Sequence, residues 1–268
     1  ASDVYKRQDK KLLEAAHMLK GLGVDVLTFP DSPSGRTRID SVLMAQKVKN
    51  VTGFEVMPHI CCRDKNAIAM RSTFLGASIN DINNFLIITG DPIPVMARQV
   101  VKSVFNFDSV GLMRIADEMN SEALKDSPLT YGGAINQSRR RIESEIKRVQ
   151  KKMEAGAEFF LTQPVFTAED AERLRRVKEE TGARILCGIM PLVSRKNALF
   201  MKNEISGVNV TDEVIERYPE NAGREDGENV GVELAKEMIA ATRDFADGYY
   251  FSFPFNRTYL LKRIIEEL

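Results

Sequence analysis

Short runs rich in β-branched and aromatic residues alternate with longer stretches of helical periodicity along nearly the whole chain. The strand candidates are Val24–Phe29, Phe54–Ile60, Phe85–Thr89, Leu129–Ala134, Phe159–Gln163, Ile185–Met190 and Tyr249–Phe253. Helical spacing of apolar residues is clearest in Lys10–Leu22, Arg139–Ala155 and Ala168–Thr181. The polar stretch Pro219–Asn229 is predicted to be a loop between two helices. Because parallel strands need a long crossover, which a helix supplies, this order predicts parallel βαβ units.

The strand candidates are joined without a long polar linker, which favours one closed barrel over two domains. A TIM-type (β/α)8 barrel needs eight strands, and the missing strand should precede the helix that begins near Lys10. The segment Ala1–Gln8 is short, polar and charged, and would make a poor buried strand. We therefore predict a TIM-type α/β barrel that lacks its first strand, with residues 1–8 as a truncated or non-native N-terminus and residues 9–268 as a single barrel domain. A doubly wound open sheet is the alternative, although no G-x-G-x-x-G motif follows any strand.

Charge and cysteine content exclude several classes of protein. Lysine and arginine number 38 against 38 aspartates and glutamates, so no net positive charge attracts nucleic acid or an anionic membrane. The longest apolar runs, such as Phe85–Ile88, are far too short to cross a bilayer. The three cysteines Cys61, Cys62 and Cys187 are an odd set with two adjacent members, which predicts a reducing, cytoplasmic location. No histidine or further cysteine lies at zinc-ligand spacing around them, so no metal is expected.

Polar residues follow the apolar run of each predicted strand. In a parallel α/β barrel the active site lies at the C-terminal ends of the strands, so these residues are candidates for function. They are Thr28 and Asp31; His59, Arg63 and Asp64; Thr89, Gly90 and Asp91; Gly132, Gly133, Asn136 and Gln137; Thr162 and Gln163; Ser194 and Arg195; Asn256 and Arg257. A barrel with a purely structural role would not need a polar group at each strand end, so the pattern indicates an enzyme.

Three of these residues have a defined chemical interest, each with a structural alternative. Asp91 follows Phe-Leu-Ile-Ile-Thr-Gly, where the glycine lets a ligand approach the backbone, but Gly-Asp-Pro is equally ordinary turn chemistry. His59 ends a strand, and a lone histidine there is more often a hydrogen-bonded structural residue than a catalyst. Gln163 offers a donor and an acceptor to the edge of a planar ring, or else caps its strand.

Two basic residues add an argument from charge. Arg257 is predicted to open the last helix, where a cation opposes the helix dipole, so a functional reason such as a carboxylate ligand gains weight. Lys152 falls with Lys147, Arg148 and Lys151 on what is predicted to be the solvated face of an amphipathic helix. The residues alone predict an enzyme whose ligand has a planar polar edge and an anionic part.

Four separated motifs resemble the methylenetetrahydrofolate reductase family. They are Pro58-His59-Ile60-Cys61-Cys62-Arg63-Asp64-Lys65-Asn66, Ile88-Thr89-Gly90-Asp91-Pro92, Gly156-Ala157-Glu158-Phe159-Phe160-Leu161-Thr162-Gln163-Pro164-Val165-Phe166 and Gly188-Ile189-Met190-Pro191-Leu192. They occur in the family's order at strand ends, and the similarity runs from about Leu12 to Arg257. In its motifs the chain is most similar to the reductase half of bacterial bifunctional homocysteine methyltransferase/methylenetetrahydrofolate reductases.

The resemblance implies an α/β barrel that holds FAD at the strand C-termini. Such an enzyme passes a hydride from NADH or NADPH to FAD, and then to 5,10-methylenetetrahydrofolate, which becomes 5-methyltetrahydrofolate in one-carbon and methionine metabolism. The resemblance further implies a homo-oligomer, and fusion to or association with a homocysteine methyltransferase. The expected partner is the small-molecule folate, with no nucleic acid and no membrane.

The resemblance also carries roles onto matching positions of this chain. Asp91 would be catalytic, since its carboxylate would stabilise cationic charge as the folate ring opens, and it would hold the pterin. The residues implied to contact FAD are Thr28, His59, Gly90, Asp91, Gly133, Ala134, Ile135 and, at the phosphate, Lys152. The residues implied to contact folate are Asp91, Gln163 and Arg257, with Gln163 meeting nicotinamide in the other half-reaction.

The chain departs from the family pattern at three places. The family's first strand normally ends in a Glu, the proposed proton donor to folate, and Ala1–Lys10 contains no such motif. Glu14 lies inside a predicted helix and is no substitute. Ile135 stands where an aromatic residue often lines the flavin, and Arg195 where some members carry Phe. Because loss of a general acid costs ~10²–10⁴-fold, a truncated, non-catalytic FAD- or folate-binding barrel is one rival, and another flavin barrel oxidoreductase, such as a proline dehydrogenase relative, is the second.

Overall fold

A computed structural model describes residues 2–205, 207–221 and 223–266, of which residues 2–9 are described by their backbone alone. The strands are β1 (Val26–Phe29), β2 (Glu55–Cys61), β3 (Asn84–Ile88), β4 (Thr130–Ile135), β5 (Phe159–Pro164), β6 (Ile185–Ile189) and β7 (Gly248–Phe251). The helices are α1 (Ser2–Gly21), α2 (Ser41–Thr52), α3 (Ala67–Ile79), α4 (Ser109–Ser121), α5 (Ile142–Glu154), α6 (Ala168–Thr181), α7 (Arg195–Glu204), α8 (Asp212–Glu216), α9 (Arg224–Thr242) and α10 (Leu260–Ile265). Short 3-10 turns occur at Pro33–Gly35, Val95–Ala97 and Pro254–Asn256. Among the residues described, no helix combines the length and apolar character that a membrane span needs.

The strands follow one another in the sheet in their chain order, from β1 to β7. The strand pairs whose register is defined are all parallel, and at least one helix lies between successive strands in the chain. This is the strand order of a TIM-type barrel with seven strands in the described part of the chain. The prediction of an α/β fold of this type, one strand short, is confirmed.

The chain consists of two compact units by its internal contacts. The first comprises Ala1–Gly133 with Lys151–Glu158, and the second comprises Ala134–Gln150 with Phe159–Leu268. The prediction of one domain over residues 9–268 stays a prediction, as does that of a truncated or non-native segment 1–8. Ala1 lies outside the described residues, and the backbone from Ser2 onward forms the start of α1.

Side-chain caps begin the helices of the first unit directly after the loops that follow the strands. The Asp40 carboxylate accepts the backbone N–H groups of Val42 and Leu43 at the start of α2. Asn66 and Asp108 cap α3 and α4 in the same way. These caps satisfy N–H groups that have no partner inside a helix, so the end of each of these loops is fixed where its helix begins.

In the second unit, α9 packs unusually closely on the chain that follows β6. A Cβ atom added to Gly231 would lie 2.0 Å from the Leu192 carbonyl oxygen, and one added to Gly227 would lie 2.5 Å from the Val193 oxygen. The helix begins at Arg224, because the Gly223 N–H donates to the Asp226 carboxylate at 3.2 Å. The prediction of a loop over residues 219–229 is therefore wrong in its second half.

Candidate active site

Three loops meet in the first unit, after β1, β2 and β3. The strands pair in parallel, with Thr28 opposite Met57 and His59 opposite Leu86, so their carboxyl ends lie along one edge. Side-chain hydrogen bonds at this edge join residues from all three loops. The structure therefore brings Asp91 together with polar groups that follow β1 and β2.

The Asp91 side chain is exposed at this edge. Its Oδ2 accepts the backbone N–H of Ser34 at 2.7 Å. Gly90 before it has a φ of +93°, and a Cβ atom there would lie 2.8 Å from Cβ of Cys61. The glycine is thus required by packing and by backbone conformation, and it directs the chain so that the carboxylate emerges at the sheet edge.

Arg63 is a buried cation beside Asp91, and the sequence indicated no role for it beyond its strand-end position. Only 2% of its side chain is exposed, and its Nε and Nη2 atoms donate to the Asp64 carboxylate at 2.8 and 2.6 Å. Nη1 donates to the Asp91 carbonyl at 3.0 Å, and Nη2 donates to the Ser32 carbonyl at 3.1 Å. The Arg63 carbonyl in turn accepts the Val104 N–H at 2.7 Å. One residue thus connects the three loops.

His59 lies in β2 with 8% of its surface exposed. Its carbonyl oxygen accepts the Ser41 hydroxyl at 2.8 Å, but its buried Nε2 atom has no hydrogen-bond partner among the described residues. Burial lowers the pKa of His59 to about 4, so the imidazole is neutral near pH 7. The Nε2 atom can therefore bond a ligand. A purely structural histidine would be expected to bond other protein groups, and this atom bonds none among the described residues.

The depressed pKa of His59 makes the stability of the protein depend on pH. The unfolded chain takes up this proton near pH 6.5 and the folded chain near pH 4, so the unfolded state binds more protons between these values. We expect the free energy of unfolding to fall by about 2 kcal/mol from pH 7 to pH 5 through this group. Urea titrations at both pH values should show this decrease in the wild type and in H17Q, since His17 is exposed. A variant H59Q that keeps the full decrease would contradict the assignment.

The ligand atoms of Asp31, Cys61 and Asp64 lie within 4.8 Å of one another. They already have partners, because Asp31 accepts the Cys61 N–H at 3.1 Å and Asp64 pairs with Arg63. Burial and the nearby Asp31 charge raise the pKa of Cys61 to about 12, so the sulfur stays protonated. The group is a hydrogen-bonded cluster around the Arg63 guanidinium.

Lys152 is buried near the end of α5, with 4% of its surface exposed. The prediction that it lies on the solvated helix face is therefore wrong, whereas its neighbour Lys151 is exposed. Lys152 is buried because it lies on a face of α5 that other residues cover, and the spacing of residues in the sequence does not show which face that is. Thr28 is half-buried and Gly133 is buried in the same unit.

Gln163 belongs to the second unit, at an irregularity where the β5–β6 register shifts between Leu161 and Pro164. Its carbonyl oxygen accepts Nε2 of the fully buried Gln137 at 3.0 Å and the Thr162 hydroxyl at 2.7 Å. Its half-buried side-chain amide bonds no residue in the described ranges. The backbone is thus fixed while the amide is available to a ligand.

The other predicted residues at the end of β4 differ in burial. Ala134 is half-buried, whereas Ile135 is completely buried. Arg195 starts α7, and its Nη1 donates to the carbonyl oxygens of Ile215 and Tyr218 at 3.1 and 3.4 Å, so this departure from the family serves to hold the end of α8.

Arg257 does not open the last helix, and the argument from the helix dipole is wrong. It follows the turn Pro254–Asn256, and α10 begins three residues later at Leu260. Phe255 and Asn256 both have positive φ angles, which ends the turn before a helix can start. Arg257 Nη1 lies 3.2 Å from Oε1 of Glu228, an ion-pair contact without hydrogen-bond geometry.

Glu228 is a buried carboxylate that the sequence did not single out. Burial opposes its charge, but hydrogen bonds from the Tyr259 hydroxyl and from Arg224, with the charge of Arg257, hold its pKa below the usual value. An anionic Glu228 orients the Arg257 guanidinium while Nη1 keeps an unused donor. The sequence could have indicated that Glu228 is buried only from its spacing within a charged stretch, and only if that stretch was known to be helical.

A polar cleft of about 420 Å³ in the second unit was also missed. Arg139, Arg140 and Arg173 line it together with Asp170, whose pKa burial raises, and Ser138, whose Oγ is buried without a partner in the described residues. The sequence signal was the run of arginines directly after the β4 strand end. Glu169 lines it as well, so the three arginines face two acidic residues and the lining is mixed in charge.

A model of the methylenetetrahydrofolate reductase family matches residues 5–268 of the chain. Two curated relatives are 5,10-methylenetetrahydrofolate reductases. The one from Salmonella typhimurium is 25% identical over 174 residues, which is 64% of this chain and 55% of the relative. The one from Buchnera aphidicola subsp. Schizaphis graminum is 24% identical over 187 residues, 69% of this chain and 61% of the relative. The chain thus spans less than two thirds of these relatives.

Solved structures with a similar fold have quite different sequences. EDTA monooxygenase from Chelativorans sp. BNC1 has a TM-score of 0.59 at 7% identity, covering 97% of this chain and 86% of its own. A 2,3-dimethylmalate lyase has a TM-score of 0.51 at 14% identity, covering 94% and 76%. These similarities concern the fold alone.

Proposed function

The chain belongs to the methylenetetrahydrofolate reductase family, and from this we propose that it reduces 5,10-methylenetetrahydrofolate to 5-methyltetrahydrofolate with FAD and with NADH or NADPH. The folate gains a hydride and a proton, and reduced nicotinamide becomes oxidised. The observation that carries the proposal is the exposed Asp91 carboxylate, held by the Ser34 N–H in the Thr-Gly-Asp-Pro motif. Aligned relatives named as this reductase support it.

Residues of the first unit fit FAD in two respects. The buried Nε2 of His59 has no described partner and is placed to bond a polar ring or chain. The buried Lys152 would offer its ammonium to phosphate, a pairing that a site of low polarity strengthens. The remaining residues of this unit that would hold FAD are Thr28, Gly90, Asp91 and Gly133.

FAD, when bound, would supply the hydride transfer from nicotinamide to folate. The protein's own contribution centres on Asp91, whose negative charge favours a folate that becomes cationic as its ring opens. The same carboxylate accepts N–H groups, so it would also orient the pterin. The folate contacts of Gln163 and Arg257, which belong to the second unit, stay predictions; within that unit Glu228 lies beside the Arg257 guanidinium.

The visible spectrum of the purified chain with FAD tests this function. We expect bound flavin that is bleached by NADH or NADPH and restored by methylenetetrahydrofolate. Bleaching without restoration would favour the rival reading, a flavin-binding barrel that does not reduce the folate. A folded chain that binds no FAD would contradict the proposal.

Replacing Lys152 by Met should weaken FAD binding by about 10–100-fold, the value of a charge-assisted hydrogen bond. Riboflavin has no phosphate, so its affinity should stay the same in K152M. Fluorescence titration with both flavins measures the two affinities, and K151M provides the matched control at an exposed lysine of the same helix. An equal loss for FAD and riboflavin would assign Lys152 to the protein core instead of the phosphate.

A further inference from the structure

The turn after β1 has a backbone geometry that depends on outside support. Ser32, Ser34 and Gly35 have φ angles of 42°, 56° and 64°, and the left-handed region costs a non-glycine residue roughly 1–2 kcal/mol. Such conformations persist only where surrounding contacts hold them. A Cβ atom on Gly35 would lie 2.8 Å from the Pro92 carbonyl oxygen, so the turn packs directly on the backbone that follows Asp91.

This turn provides the hydrogen bond that orients the Asp91 carboxylate. The Ser34 N–H donates to Oδ2 of Asp91, and no second bond to that carboxylate is made within the described ranges. An exposed carboxylate without such a bond rotates among several rotamers. The direction of the Asp91 side chain therefore depends on where the turn holds the Ser34 N–H.

Arg63 holds both partners of this bond. Its guanidinium donates to the carbonyl oxygen of Ser32, at the start of the turn, and to that of Asp91 itself. Asp64 occupies the remaining edge of the same guanidinium. Because the guanidinium is planar and rigid, the two carbonyl oxygens are kept at a fixed separation.

We propose that Arg63 is a positioning residue. Its hydrogen bonds join the Ser32–Gly35 turn to the Asp91 backbone and so fix the direction of the Asp91 carboxylate. This inference rests on the proposed function, in which the carboxylate serves the folate half-reaction. Lysine is no equivalent, since an ammonium on a flexible stem does not donate to both carbonyls while it pairs with Asp64. Loss of Arg63 would keep Asp91 in the chain but let its carboxylate rotate away from the direction that the Ser34 N–H now fixes.

Amide hydrogen exchange of Ser34 tests whether Arg63 holds the turn in place, and it needs no enzymatic reaction. In the purified chain, the Ser34 N–H should exchange at least ~10-fold faster in R63M, R63K and D91A than in the wild type. R71M is the matched control, because Arg71 forms an ion pair with Glu118 at 2.6 Å on the exposed surface of the same unit. Should R63M fail to fold, R63K gives the answer for Arg63, and D91A shows how fast the Ser34 N–H exchanges once its acceptor is removed. Unchanged Ser34 exchange in the folded variants overturns the proposal.

Kinetics of the folate half-reaction test whether Arg63 affects the reaction through the Asp91 carboxylate. R63M and R63K should lower kcat about 10–100-fold, the cost of a misplaced group, with KM for folate changed far less. In a D91N background, R63M should cost almost nothing more, because the group it positions is already lost. Additive losses in the double variant overturn the proposal. If the wild type protects the Ser34 N–H from exchange but has no folate activity, the proposed function is contradicted, whereas the structural role of Arg63 is not.

Discussion

Replacing Asp91 by Asn will slow the reoxidation of reduced flavin by methylenetetrahydrofolate about 10²–10³-fold. The change removes the charge that favours a cationic folate, yet keeps the side-chain size and an oxygen that accepts the Ser34 N–H. Reduction of the flavin by NADH or NADPH creates no cation on the folate, so this half-reaction should change far less.

Stopped-flow absorbance of the flavin follows the two half-reactions separately. D126N is the matched control, since Asp126 is an exposed aspartate of the same unit. An equal slowing of both half-reactions in D91N would assign Asp91 to flavin binding. Normal reoxidation would remove it from the catalytic machinery.

Replacing Gly231 by Ala will destabilise the protein by about 3 kcal/mol, the upper part of the range for overpacking a core. The new Cβ atom would lie 2.0 Å from the Leu192 carbonyl oxygen, a backbone atom that no change of rotamer moves away. α9 must shift as a whole to relieve the contact, and the neighbouring Gly227 faces the same stretch of chain.

Gly76 offers the same substitution without the contact. It also lies inside a helix, α3, and nothing stands within 4 Å of an added Cβ atom. G76A should therefore stabilise the protein by roughly 0.5–1 kcal/mol, the helix preference of alanine over glycine. Urea unfolding of both variants measures the difference, and a G231A midpoint at or above the wild-type value would show that α9 does not pack so closely.

Much of the fold was predictable because buried parallel strands are short apolar runs. Each predicted strand agrees with the structure to within two residues at either end. For example, Ile185–Met190 was predicted and β6 spans Ile185–Ile189. The helix Ala168–Thr181 was predicted at both ends, since Thr167 caps it and Gly182 follows it in the left-handed conformation.

Other features depended on tertiary contacts that a linear pattern does not contain. The start of α9 was predicted to be a loop because Gly223 and Gly227 stand among acidic residues, and only the close contact of Gly227 with the Val193 backbone explains the second of them. The burial of Lys152 depends on which face of α5 is covered. The start of α10 was misplaced because positive φ angles at Phe255 and Asn256 are not visible in the sequence.

The candidate site was predicted residue by residue but not as a connected set. Asp91 and His59 were identified from their strand ends, yet the bond between the Ser34 N–H and Asp91 spans 57 positions of the chain. Arg63 occurred in a motif, and nothing in its neighbours indicated that its guanidinium would reach two other loops. Such ties require the sheet order, which brings the three strand ends to one edge.

The segment between Asp91 and Val104 is anchored to Arg63 at both ends by main-chain atoms, the Asp91 carbonyl and the Val104 N–H. Neither anchor depends on the side chains between them, among which Met96 and Val100 are almost fully exposed. Lengthening a loop with fixed ends is inexpensive, at about 0.6 kcal/mol for each doubling. Pro92 and Ile93 pack against Gly35, but evolution can insert, delete or exchange residues from Val95 to Ser103 without moving the carboxylate, which makes that stretch the natural place for related enzymes to diverge.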